Sequence, residues 1–118
     1  MELSLATRTL GDHTVLEVGG EVDIESAPRL RENLVGVIAA GSRKVIVDLA
    51  RVEFLDSSGL GVLVGGLRRL RAVDGTLVIV CDREPLLKIF RITALDRVFS
   101  IYPTVDAAIG AEPDASTA

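Results

Sequence analysis

Val45-Ile46-Val47 and, within Thr76 to Cys81, Leu77-Val78-Ile79-Val80 are unbroken apolar runs rich in β-branched residues. A strand with one wet face alternates apolar and polar residues, whereas an unbroken run has no wet face. Both segments therefore read as strands covered on both sides. The cover is at hand, because a helical pattern follows each of them. Strands and helices in alternation predict an α/β domain with a mixed, mostly parallel sheet.

The start of the chain adds an antiparallel element. Leu3 to Leu10 alternates loosely, Gly11-Asp12 suits a tight turn, and Val15 to Val18 continues the pattern. This predicts an N-terminal hairpin whose second strand closes at Gly19-Gly20. Ser26-Ala27-Pro28 is a helix start, since proline is tolerated in the first turn. Ala27, Leu30, Leu34, Val37 and Ile38 share one face of that helix, and Gly41 supplies a left-handed stop. Asp48 is read as the end of the strand begun at Val45.

Leu60, Leu63, Val64, Leu67 and Leu70 form a second helical stripe, reaching Val73 and stopped by Asp74-Gly75. Four glycines interrupt it, and each costs about 0.5–1 kcal/mol relative to alanine. Packing on the sheet is the expected reason for Gly65 and Gly66, and room for a partner is the expected reason for Gly59. Arg83 to Arg91 predicts a third helix with Pro85 in its first turn. Ile92 to Leu95 reads as a connection and Val98 to Tyr102 as the last strand. A fourth helix starts under a Thr104 cap. Residues 1–110 are expected to form one domain, and 111–118 a disordered tail.

Composition narrows the function. The chain has 118 residues, one histidine, one cysteine and a formal net charge of −4. That balance does not suit a nucleic-acid footprint, and Arg68, Arg69 and Arg71 read as a solvated helix face. One cysteine, Cys81, excludes an internal disulfide and fits a reducing compartment. A Cys/His metal site is excluded within one chain, and no cofactor is expected. The first residues lack the pattern of a signal peptide, and no apolar run approaches a membrane span. A cytoplasmic protein without membrane insertion is the expectation.

Asp56-Ser57-Ser58-Gly59 joins an apolar run to the second helix. Two hydroxyls there face helix amides that have no internal partner, and the helix start favours a negative group. The plain reading is a cap, stabilising the helix by about 1 kcal/mol. A phosphate cradle would want a lysine, and Gly59-Leu60-Gly61 lacks the third glycine of a dinucleotide loop. A nucleophilic serine would want a glycine in place of Leu55 and a base nearby, while His13 lies in the hairpin. A small enzyme or nucleotide-binding module using this corner is the reading these features leave weakest.

Phe54-Leu55-Asp56-Ser57-Ser58-Gly59-Leu60-Gly61-Val62 resembles the signature of STAS domains, specifically the bacterial anti-sigma-factor antagonists. Gly20-Glu21-Val22-Asp23 resembles a second motif of that family. Arg83-Glu84-Pro85, Leu87, Phe90 and Thr93-Ala94-Leu95 resemble its third helix and following loop. The similarity runs from about Leu3 to Ile109. It implies a single STAS-like domain with about four helices. It also implies a regulator rather than an enzyme, in which Ser57 is phosphorylated by a partner that is both anti-sigma factor and serine kinase. The unphosphorylated form binds that partner and frees a sigma factor; a serine phosphatase restores it. The resemblance places Ser57 as phosphoacceptor; beside it Ser58 is read as a second hydroxyl holding the corner and itself open to modification, Gly59 as clearance, and Asp56 as a loop-orienting acid or a plain helix-start acid. Glu21 and Asp23 would belong to the docking surface, and Leu95 would be either an exposed apolar contact or part of the core. The same fold also serves as an adaptor subunit in stress-sensing or lipid-transport complexes, which is the alternative within the family.

Overall fold

The computed structural model describes residues 2–111. Its elements run β1 (Ser4–Leu10), β2 (His13–Val22), α1 (Ala27–Ala39), β3 (Lys44–Leu55), α2 (Ser57–Arg71), β4 (Thr76–Val80), α3 (Glu84–Ile92), a 3-10 turn (Leu95–Arg97), β5 (Ile101–Tyr102) and α4 (Val105–Ala111). The strands lie in the order β1-β2-β3-β4-β5, with β1 antiparallel to β2 and the other pairs parallel. The expected α/β class and N-terminal hairpin are both present. α4 takes in Ala111, the first residue assigned to the tail, and 112–118 lie outside the described residues.

The unbroken runs are explained by two cores. Val45 and Val47 join Leu16, Leu30, Leu34, Leu63, Leu70, Ile79 and Phe90 beneath α1, α2 and α3. Ile46 and Val80 point to the other face and pack with Val15 and Ala108 beneath α4. Alternate residues of a strand face opposite sides, so a sheet covered on both faces needs apolar residues throughout.

Three boundaries differ from the sequence reading. β2 does not close at Gly19-Gly20 but continues to Val22. Its register against β3 shifts between Glu17 and Gly19 and again between Gly20 and Glu21, so the glycines mark bulges rather than an end. Gly20 has φ +84°, and a Cβ there would collide with the Glu2 carbonyl.

β3 likewise passes Asp48 and runs to Leu55. Asp48 is the last residue of β3 that pairs with β4; beyond it β3 pairs with β2 alone. Its carboxylate accepts the Ala50 amide at 2.9 Å, covering part of the newly free edge. Burial on that segment becomes one-sided, with Val52 and Leu55 inside and Arg51, Glu53 and Phe54 outside.

β5 is confined to Ile101–Tyr102. Phe99, expected in that strand, is buried instead edge-on to Phe90, with ring centroids 6.1 Å apart. α2, expected to reach Val73, ends at Arg71, and α3 runs Glu84–Ile92, while the signals at Gly41 and Thr104 hold. Gly41 sits at φ +110° after α1, with the Ser42 amide bonded back to the Val37 carbonyl at 3.1 Å. Thr104 Oγ1 accepts the Ala107 amide at 3.0 Å at the start of α4.

Candidate functional site: the serine corner

β3 and α2 meet at Asp56, which is extended (φ −107°, ψ −173°) and serves as the N-cap of α2. Asp56 Oδ1 accepts the amides of Ser58 at 2.9 Å and Gly59 at 3.3 Å. These are two of the helix's orphan donors, and a carboxylate at this end also meets the positive pole of the helix. Asp56 is therefore occupied as a cap, which leaves it poorly suited to removing a proton from Ser57.

Ser57 is the first helical residue and is exposed; Ser58 is half-buried. The Ser57 hydroxyl is thus presented to solvent on the first turn. His13, the one histidine, begins β2, while Ser57 follows the end of β3. β2 and β3 are parallel neighbours, with Thr14 opposite Val45 and Val22 opposite Leu55, so His13 and Ser57 stand at opposite ends of this strand pair. The geometry offers no serine–histidine pair, in keeping with the sequence reading.

The loop after β2 joins the corner through the backbone. The Asp56 amide donates to the Val22 carbonyl at 3.1 Å. Asp23, the next residue, folds its own loop: Oδ1 accepts the amides of Glu25 and Ser26, each at 3.0 Å. The Ser26 hydroxyl accepts the Asp23 amide at 2.9 Å and donates to the Glu21 carbonyl at 2.9 Å. The Ser26 amide, followed by the Ser26 hydroxyl and the Glu25 amide, holds the Asp23 carboxyl below the ordinary carboxylate range. Glu21, Asp23 and Glu25 line one depression together with Arg29, and the Val22–Asp56 hydrogen bond ties that loop to the cap of α2.

Gly59 departs from its expected role. A Cβ at this position would lie 2.5 Å from Leu55 Cδ1 and 2.6 Å from Val22 Cγ1. Gly59 is buried against β2 and β3, so its missing side chain serves packing and not access. Gly66 is likewise packed, against Leu34. Gly65, assigned to packing, meets nothing within 4 Å, and neither does Gly61.

Leu95 is not brought to the corner. It starts the 3-10 turn after α3 and is half-buried against the main core. Its carbonyl accepts the Val98 amide at 3.0 Å. Val98 lines a depression with Arg71 and Gly75, at the far end of α2 from Ser57.

The sequence reading missed Ile24, which is 76% exposed between Asp23 and Glu25. Its signal was available: an aliphatic residue in a loop, on neither a strand alternation nor a helix stripe. Phe54, two residues before the cap, is also 49% exposed. The corner thus combines a presented hydroxyl, an acidic loop and protruding apolar side chains. Among the described residues, no helix is long and apolar enough to cross a membrane.

Comparison with known proteins agrees with this fold. The family model described as STAS domain matches residues 4–108. An anti-sigma-B factor antagonist of Staphylococcus epidermidis is 40% identical over 95 residues, covering 80% of this chain and 88% of the relative. The crystal structure of an anti-sigma factor antagonist from Mycobacterium paratuberculosis superposes with a TM-score of 0.89 at 29% identity, covering 96% of each chain. The Bacillus protein SpoIIAA is similar at 25% identity in two forms. The unphosphorylated form gives a TM-score of 0.77 and covers 90% of this chain and 93% of its own. The phosphorylated form gives 0.70, with 92% and 97% covered. The chain belongs to the STAS domain family.

Proposed function

We propose that this protein is an anti-sigma-factor antagonist switched by phosphorylation of Ser57. The unphosphorylated form binds an anti-sigma factor that is also a serine kinase, and the sigma factor is released. The observation that carries this reading is the exposed Ser57 hydroxyl on the first turn of α2, beside the acidic loop of Asp23. The names of the Staphylococcus relative and of the two SpoIIAA structures support it.

The chain acts as substrate. The Ser57 oxygen attacks the γ-phosphorus of ATP held by the kinase, the bond to the bridging oxygen breaks, and ADP leaves. The kinase supplies the base that takes the hydroxyl proton and the magnesium that balances phosphate charge. The product carries about −1.5 to −2 charges at neutral pH. The dipole of α2 favours that charge at its first turn, so the fold tolerates it.

The complex tolerates it less. Glu21, Asp23 and Asp56 already make this surface acidic, and the partner's nucleotide phosphates face it during transfer. Turning a mostly bound population into a mostly free one takes about 5.5 kcal/mol of differential binding. Repulsion and the loss of a hydrogen bond from a buried hydroxyl act in the same direction. A serine phosphatase that removes the phosphoryl group resets the switch, and the whole cycle belongs to the cytoplasm.

The test is a transfer assay with the histidine-kinase-like ATPase encoded nearest this gene. Wild-type protein should accept one phosphoryl group, mapped to Ser57 by mass spectrometry, and Ser57→Ala should accept none. Label at another residue would contradict the assignment. ATP hydrolysis or self-labelling without the ATPase would favour an enzyme, and equal partner affinity of Ser57→Ala and Ser57→Asp would favour a plain adaptor.

A further inference from the structure

Beside the serine corner, α1 and α2 leave a groove between them. Ile24, Ala27, Pro28, Val35 and Val62 line its apolar part. It continues along α2 into a second depression that includes Ser58, so groove and corner form one surface. Val62, Arg31 and Arg69 border both parts. The exposed Ile24, next to Asp23 in the chain, lines the first part of the groove.

The charges on this surface are divided. The corner end carries Glu21, Asp23, Glu25 and Asp56. The groove carries Arg31 and Arg69, with Glu32 as the opposing charge on its rim. Arg31 and Arg69 are exposed, and neither forms an ion pair with any described residue. Two such guanidiniums beside an apolar channel complement a ligand that is aliphatic along one stripe and acidic along its edges. An amphipathic helix lying in a groove has that form.

We infer that the groove between α1 and α2 seats an acidic-edged amphipathic helix of the anti-sigma factor, with Arg31 and Arg69 pairing its carboxylates and Ile24 and Val62 packing on its aliphatic stripe. This rests on the reading of Ser57 as the switch of the same complex, and it divides the labour. The corner senses the phosphoryl group, and the adjoining groove provides affinity and partner choice. Partners lacking acidic residues at those edges are disfavoured.

The experiment measures the affinity of full-length variants for the ATPase used in the transfer assay, by calorimetry at two salt concentrations. Arg31→Glu/Arg69→Glu reverses two exposed charges. Gly65→Leu fills the groove from a position where a Cβ meets nothing within 4 Å. Both should bind at least about tenfold more weakly. Gly65→Leu should unfold at no lower temperature than wild type. The double variant should fold with at most a slightly lower unfolding temperature, because the change at Arg69 opposes the dipole at the end of α2, and its salt dependence should fall or reverse sign. If Ser57→Asp weakens binding while both groove variants bind like wild type, the groove assignment is overturned and the switch stands. If the groove variants weaken binding while Ser57→Asp and Ser57→Ala bind alike, the switch is overturned and the groove stands. Absence of binding by wild type overturns both. A wild-type dimer, or binding to phosphatidylglycerol vesicles, that both groove variants abolish while ATPase binding persists would give the groove to another occupant and overturn the inference.

Discussion

The backbone amide of Asp56 donates to the carbonyl of Val22 at 3.1 Å. One hydrogen bond therefore fixes the loop of Asp23 to the start of α2. The residues it joins are 34 positions apart in the chain, but Val22 ends β2 and Asp56 follows the end of β3, two parallel strands paired with Val22 opposite Leu55. The position of Ser57 relative to the acidic loop is set by the sheet and not by a flexible connection.

Removing the cap should loosen that position. Asp56→Ala leaves the amides of Ser58 and Gly59 without their acceptor and should destabilise the domain by about 1 kcal/mol, while Asp56→Asn should retain most of the stability. Chemical denaturation of the three proteins measures the difference. Equal stability of the alanine variant and wild type would contradict the capping role.

Two glycines of α2 should respond to alanine with opposite signs. Gly59→Ala forces a methyl group between Leu55 and Val22 and should destabilise by about 1–3 kcal/mol. Gly61→Ala enters open space and should stabilise by about 0.5–1 kcal/mol, from helix propensity alone. Thermal unfolding of the pair reads both signs.

The loop of Asp23 should be sensitive to acid. Its folded-state pKa lies below the ordinary value, so its contribution is present above the unfolded pKa near 4 and is lost as pH falls through the folded value. Asp23→Asn should therefore be less stable than wild type at pH 7, and the gap should narrow below about pH 4. Denaturation at pH 7, 5 and 3 measures the gap, and a constant difference would contradict the hydrogen-bonded carboxylate.

Cys81 should be protected. Burial pushes its thiol pKa up, and its Sγ–H points to the Arg83 carbonyl at 3.8 Å. Alkylation at pH 8 should be at least about tenfold slower in native than in unfolded protein. Comparable rates would place the thiol at the surface.

Much of this architecture was legible in the chain. Unbroken apolar runs told of a sheet covered on both faces, and Ser26-Ala27-Pro28 and Thr104 marked helix starts that the structure retains. Gly59 was legible but misread. Its spacing from Leu63, Gly66 and Leu70 places it on the buried face of α2, while Gly61 and Gly65 fall on the open side. The length of β3 was harder to see, because Asp48 interrupts the apolar run at the point where β3 loses β4 as a neighbour. The joining of Val22 to Asp56 depends on parallel register across a whole crossover, which local pattern does not encode. The packing of Leu95 against the main core depends likewise on tertiary structure.

The most telling measurement is the affinity of the ATPase partner for this protein before and after stoichiometric phosphorylation of Ser57, with unfolding temperatures recorded for both forms. Binding should weaken by at least about a hundredfold, or roughly 2.7 kcal/mol, while the unfolding temperature stays the same or rises. Unchanged affinity, or a fall in stability that by itself accounts for weaker binding, would contradict it.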